Sequence, residues 1–234
     1  VLTLMQAGYM KTGAPDALGY MMNLGFQNGV PVYMVQGMFC GSREDGLAAI
    51  APLMAIPSAQ LLVDKTGTYP DMNVWLEDHP YTLPDNLPDG IAETKASGYI
   101  NTRLSPADWQ RIIDYFKTSP NPWSLAYLEP YGGAINRYPM ADSAFVHRNV
   151  DADLVVDVFW RNPAERTQME AWLDGFMQLV RPFLNGHVYQ SGPGARLADF
   201  ASAYWGPAYP QLQRVKAAYD PGNFFHFQQS IRLP

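Results

Sequence analysis

Three short segments hold side chains suited to chemistry. Tyr131-Gly132-Gly133-Ala134-Ile135-Asn136-Arg137 puts a phenol at the end of an apolar run and follows it with a glycine pair. Paired glycines let a second backbone or a flat ligand come close, and they serve a tight bend at a sheet corner equally well. His147-Arg148 closes the run Ala144-Phe145-Val146. An imidazole there can carry a proton near neutral pH or be a satisfied structural histidine. Tyr189-Gln190-Ser191 follows a long helical stretch across a short connection, which can bring a phenol to a pocket. A tyrosine acts as acid or base only where its surroundings tune its pKa.

Other chemistries lack their motifs. There is no G-x-G-x-x-G behind a strand, no G-x-x-x-x-G-K-[ST] and no G-x-S-x-G, so neither a phosphate cradle nor a nucleophile elbow is visible. His79, His147, His187 and His226 are far apart, and none has a second ligand at i+3 or i+4. No metal site is expected. The single cysteine, Cys40, excludes an internal disulfide and a multi-cysteine metal site. It reads as a buried thiol beside a strand.

The elements that must position these groups follow from hydrophobic periodicity. Pro15-Asp16 suggests a helix start running to residue 24. Residues 30–39, rich in β-branched and aromatic side chains, read as a strand. Ser42 reads as the cap of a helix with Leu47, Ile50 and Met54 on one face. Residues 60–63 are strand-like, and the proline-rich stretch 79–90 reads as an irregular surface loop. Ser105-Pro106-Ala107-Asp108 supplies a cap, a first-turn proline and a first-turn acid. Trp109, Ile112, Ile113 and Phe116 then form a one-sided stripe. Asn162-Pro163 repeats the start signal before Met169, Trp172, Leu173, Phe176, Val180 and Phe183. Residues 125–129 and 154–160 read as strands, and 143–148 as a third. Residues 209–219 read as a last helix ended by Asp220-Pro221-Gly222. Together they predict an α+β fold, an antiparallel β-sheet with helices on one face.

Composition narrows the class of protein. Of 234 residues, 47% are hydrophobic and 16% charged, against roughly 25% charged in an average domain. The chain therefore folds, and its apolar content goes to a core, a cavity or an interface. Sixteen basic against 22 acidic residues leave a net charge of −6, which offers no global field to nucleic acid or an anionic membrane. No apolar run approaches the roughly 20 residues of a membrane span. Cytoplasmic and secreted locations both stay open. The chain opens on Val1 with no leader-like pattern behind it, which reads as a start after a cut or within something longer.

The C-terminal segment is the most specific. Tyr204-Trp205-Gly206, Leu212, Val215-Lys216, Tyr219-Asp220-Pro221, Asn223-Phe224-Phe225 and Gln229-Ser230-Ile231 resemble the closing signature of berberine-bridge-enzyme-like flavin oxidases, of the vanillyl-alcohol-oxidase type. Phe39-Cys40-Gly41-Ser42, Ser105-Pro106-x-x-Trp109, Glu129-x-Tyr131-Gly132-Gly133-Ala134 and Ala144-Phe145-x-His147-Arg148 are similar too, in the family's order. The resemblance covers nearly the whole chain but only the C-terminal portion of the family's length.

The resemblance implies a substrate-binding domain over residues 1-203. Residues 204-234 would be a C-terminal tail that packs on, and completes, an FAD-binding domain absent from this chain. It implies FAD as cofactor, bound mainly by that N-terminal domain or chain, with molecular oxygen as electron acceptor and a small-molecule substrate between sheet and flavin. Tyr189 and Tyr131 are then candidate catalytic residues. Tyr99, Asn136 and His147 are candidate substrate contacts, and Gln190, Ser191 and Asn223 candidate cofactor contacts. Members usually read Tyr-x-Asn-Tyr where this chain reads Tyr189-Gln190-Ser191-Gly192. Gly192 thus stands where many carry a catalytic tyrosine. Either another tyrosine serves (Tyr189, Tyr131 or Tyr99), or the loop shifts register, or the reaction has diverged. A non-catalytic ligand-binding or assembly subunit of the same fold is the alternative.

Overall fold

A computed structural model describes residues 1–78, 87–194 and 197–234. The elements in chain order are α1 (Leu2–Gly8), β1 (Leu18–Gln27), β2 (Val30–Phe39), α2 (Arg43–Met54), α3 (Tyr69–Asp78), β3 (Ala92–Ile100), α4 (Pro106–Phe116), β4 (Leu125–Pro130), α5 (Gly133–Arg137), β5 (Ala152–Trp160), α6 (Arg166–Val180), α7 (Phe200–Trp205) and α8 (Tyr209–Tyr219). Among the described residues the strands form one antiparallel sheet in the order β2-β1-β4-β5-β3.

Register assigns the two faces, because successive side chains on a strand point opposite ways. Tyr20, Met22, Leu24 and Phe26 of β1 share a face with Ala126 and Leu128 of β4, and with Leu154, Val156 and Val158 of β5. That face packs on α4 and α6 through Trp109, Ile112, Phe116, Met169, Trp172, Leu173, Phe176 and Val180. Phe26 stacks on Phe116 with ring centroids 5.1 Å apart. The opposite face carries Met21 and Asn23, Tyr127 and Glu129, Asp153, Val155 and Asp157, and Lys95, Ser97 and Tyr99. It is a polar face, and the core helices do not cover it.

Most of the expected elements form. The strand over 30–39 and the helix over 209–219 match their predicted bounds. Ser105 and Asp108 close a full capping box on α4, an arrangement in which the cap alone contributes about 1 kcal/mol. Asn162 caps a short 3-10 turn, Pro163–Glu165, that feeds α6.

Five expectations are corrected. The predicted helix from 15 to 24 is instead β1: its alternating Tyr20, Met22, Leu24 and Phe26 have strand period, and Asp16 pairs with Arg137 at 2.6 Å rather than capping. The overlooked signal was Asn28-Gly29, both at positive φ (51° and 76°), which forms a two-residue hairpin loop with Gln27 opposite Val30. Residues 143–148 pair with no strand; the segment is held by side-chain packing instead, with His147 stacked on Tyr99. Residues 60–63 form no strand either, and Leu61 and Leu62 are exposed, so nothing there drives pairing. Cys40 is exposed, not buried, since it follows the last residue of edge strand β2. The helix at Ser42 forms with its cap, but its expected face is shallow: Leu47 and Ile50 are half-buried and Met54 is exposed. Of the loop expected over 79–90, residues 79–86 lie outside the described residues.

The C-terminal tail is held by hydrogen bonds at several points that leave its phenylalanine rings outside. Gln229 is buried, accepting from the Tyr204 hydroxyl at 2.9 Å and donating to the Gly194 carbonyl at 2.8 Å. Phe224, Phe225 and Phe227 are 80%, 75% and 61% exposed. Adjacent exposed phenyl groups are uncommon on a finished soluble surface. The isolated chain is therefore expected to bind a hydrophobic dye, and the triple change of these phenylalanines to serine is expected to remove most of the signal. Unchanged fluorescence would show that another surface binds the dye.

Candidate active site

The site grows from the ends of β3, β4 and β5 on the polar face. Tyr99 on β3 and Tyr131 just past β4 bring their hydroxyls within 3.0 Å of each other. Both rings are buried. Burial is the main reason that both phenols resist ionisation; Tyr131 is pushed up to about 12, and Tyr99 is raised further. Both therefore hold their protons at neutral pH. The extended segment after α5 lays Phe145 and His147 across this pair. His147 stacks on Tyr99 with centroids 4.4 Å apart, and Phe145 lies 6.1 Å from both Tyr131 and Tyr189.

His147 is fully enclosed, and His187 approaches it at 5.7 Å between ring centroids. Burial, reinforced by the charge of His187, pushes its imidazolium down to about 4. The ring is thus neutral at physiological pH. Tyr99, Tyr131, His147 and Tyr189 of the predicted set accordingly meet in one cluster.

The remaining candidates are placed differently. The Asn136 amide donates to the Val150 carbonyl at 2.9 Å and accepts from the Val150 N–H at 3.4 Å, so it pins the segment leading into β5. Gln190 sits beside Tyr189 with its Oε1 enclosed and without a partner. Ser191 is exposed in the turn closed by the Gly192 N–H to the Tyr189 carbonyl at 3.0 Å. A Cβ added at Gly192 would meet only the Tyr189 carbonyl, at 3.7 Å. Asn223 lies in the turn after α8, at φ 52°, with hydrogen bonds to Asp220 and His226. Its contacts are within that turn and not with the aromatic cluster.

Sequence reasoning missed the carboxyls. Asp153 is 1% exposed on the interior strand β5, with Glu129 directly opposite on β4 and Tyr99 opposite on β3. Its Oδ1 has no hydrogen-bond partner. Burial raises Asp153 to about 7, and the neighbouring Glu129 adds to the shift. Such a group is poised to exchange a proton near neutral pH. The signal was available: Asp153 and Asp157 share one parity inside an otherwise apolar strand, and a buried strand seldom carries charge without cause. Among the described residues no group of three His, Cys, Asp or Glu gathers as metal ligands, and no helix is long and apolar enough to cross a membrane.

Comparison with known proteins agrees with this architecture. The family described as berberine and berberine-like matches residues 172–232. The FAD-linked oxidoreductase YvdP of Bacillus subtilis is 26% identical over 197 residues, covering 84% of this chain and 43% of that protein. Chitooligosaccharide oxidase of Gibberella zeae is 24% identical, with 86% and 44% covered. The structure of wild-type Physcomitrella patens BBE-like 1 superposes with a TM-score of 0.83 at 22% identity, covering 99% of this chain and 51% of that one. The chain spans less than half the length of the curated relatives it matches. The family segment, the relatives and the shared fold make the chain similar to the C-terminal portion of berberine-bridge-enzyme-like, FAD-linked oxidoreductases.

Proposed function

We propose that the chain supplies the substrate-binding sheet of an FAD-dependent oxidase, with the polar face over the isoalloxazine ring and a small molecule between. Supporting this most directly is Asp153: a carboxyl enclosed on an interior strand, unpartnered at Oδ1 and close enough to Tyr99 and Tyr131 for its charge to act on both phenols. When bound, FAD supplies the acceptor for a hydride from a C–H bond, with molecular oxygen taking the electrons on.

This chain's residues then hold and move a proton. Asp153, near 7, accepts the proton that a substrate hydroxyl or amine must lose. Tyr189 is the phenol that remains as a second base candidate. Tyr131 and Tyr99 stay protonated; Tyr99 donates to Tyr131, which leaves the Tyr131 O–H to donate to the substrate. Neutral His147 holds the Tyr99 ring in place. Gln190, Ser191 and Asn223 would hold FAD; the enclosed Gln190 Oε1 lies beside the His147 ring, and either that ring or a flavin N–H can donate to it. Residues 204–234 would complete the FAD-binding domain supplied by an N-terminal domain or chain.

The test uses the full-length protein. It is expected to carry flavin absorbance near ~450 nm and to consume oxygen with a C–H donor, and Tyr189→Phe is expected to cut turnover by roughly 10²-fold. Absence of flavin would remove the cofactor assignment. Turnover untouched by both Tyr189→Phe and Asp153→Asn would remove the residue assignments.

A further inference from the structure

The oxidase chemistry proposed above leaves a by-product, and the sheet carries side chains that react with it. Met21 on β1, and Met34 and Met38 on β2, share the polar face and are half-buried. Register groups them. Gln36 is directly opposite Met21, so Met34 and Met38 are its two diagonal neighbours, at roughly 7–8 Å. The register of β1 on β4 carries Met21 into the row of Glu129, which pairs with Asp153, which pairs with Tyr99. Gln36, Met21, Glu129, Asp153 and Tyr99 thus form one row across the five strands. Met21 stands two strands from Asp153, roughly 10 Å at the usual strand spacing.

The other methionines are placed differently. Met22 points to the opposite face and is buried in the core, as are Met5, Met10 and Met169. Met54 and Met140 are 39% and 44% exposed, and neither belongs to a strand.

Oxygen that takes up two electrons and two protons leaves as hydrogen peroxide. A thioether sulfur attacks one peroxide oxygen: an S–O bond forms, the O–O bond breaks, sulfur is oxidised by two electrons to the sulfoxide, and the second oxygen leaves as water. The thioether has no proton to lose, so access and local peroxide concentration decide which methionine reacts. The geometry points to Met21, Met34 and Met38 as a turnover-linked modification site, where peroxide released at the polar face is captured as methionine sulfoxide. The inference rests on the oxidase reading, which supplies the peroxide. Each capture replaces an apolar thioether by a polar group on the same face as Asp153 and Tyr99.

Peptide mass mapping of the full-length protein tests it, in a Cys40→Ser background because the Cys40 thiol is exposed just past β2 and would compete. Bound flavin is reduced by light and EDTA without oxygen, then reoxidised by air in the dark, over repeated cycles with catalase in solution. Peroxide then persists only near the flavin, whatever the substrate. Met21, Met34 and Met38 are expected to gain an oxygen atom each, ahead of Met54 and Met140. Added hydrogen peroxide without catalase is expected to reverse that order, because Met54 and Met140 are the more exposed. Unmodified Met21, Met34 and Met38 after the flavin cycles, or the same order in both arms, would overturn the site and leave the oxidase reading standing. A full-length preparation without flavin absorbance would overturn both.

Discussion

Asp153→Asn is expected to lower the oxidase activity proposed for the full-length protein by roughly 10²–10⁴-fold, the range a positioned general base contributes, while making the fold more stable at pH 8. The two effects have one origin. Asp153 is enclosed on an interior strand with an unpartnered oxygen, and burial lifts it from an unfolded value near 3.8 to about 7. The native state therefore binds more protons than the unfolded state between those two values. Stability falls as pH rises through that window and levels off above about 7, by up to about 4 kcal/mol at 1.36 kcal/mol per unit. Asparagine keeps the shape and loses the titration. The variant should match the parent near pH 3, exceed it at pH 8, and show a flatter dependence of unfolding free energy on pH. A variant that loses activity and stability together would point to a structural carboxyl and not to a base.

Phe176→Ala is expected to cost about 3–5 kcal/mol, enough to threaten a domain whose total stability is about 5–15 kcal/mol. Phe176 has no exposed surface, and its ring lies 5.7 Å from Trp172 and 6.0 Å from Tyr115. Tyr115 is further fixed by donating to the Trp172 carbonyl at 3.1 Å, and it fills the space over Gly175, where an added Cβ would meet its hydroxyl at 1.9 Å. The neighbours are thus held and cannot collapse into the vacated volume, which places the cost toward the upper end of that range. Denaturant unfolding of the same full-length sample checks it. A midpoint shift worth less than about 1 kcal/mol would show that α6 relaxes onto the sheet.

Helices α2, α4, α6 and α8 were legible because their signals are local, whereas α1, α3, α5 and α7 were not anticipated. Ser105-Pro106-Ala107-Asp108 is a complete start signal within four residues, and the stripes of α4 and α6 repeat within one face. The strands were legible only where composition was decisive. β2 is almost uniformly apolar, and β4 and β5 carry apolar runs. β3 reads Ala92-Glu93-Thr94-Lys95-Ala96-Ser97-Gly98-Tyr99-Ile100, and little in that string marks a strand. It becomes one by pairing along its whole length with β5, which lies some sixty residues away in sequence.

The site divides along the same line. The residues Tyr131, His147 and Tyr189 stood out by type and by neighbouring glycines, and the fold gathers them with Tyr99. Asn136 also stood out, yet its amide is engaged by the Val150 backbone. The roles of Asp153, Asp157 and Glu129 could not be read in one dimension. Their raised affinities for protons arise from enclosure first, to which Glu129 adds at Asp153 and Glu93 at Asp157.

By itself the sequence determined the α+β class, the caps and core stripes of α4 and α6, and the closing berberine-like segment, because each rests on residues within a turn or two of one another. Only the tertiary structure decided which face of the sheet stays polar and which carboxyls are stranded on it. Those properties depend on strand order and register, which are set by pairing between distant segments.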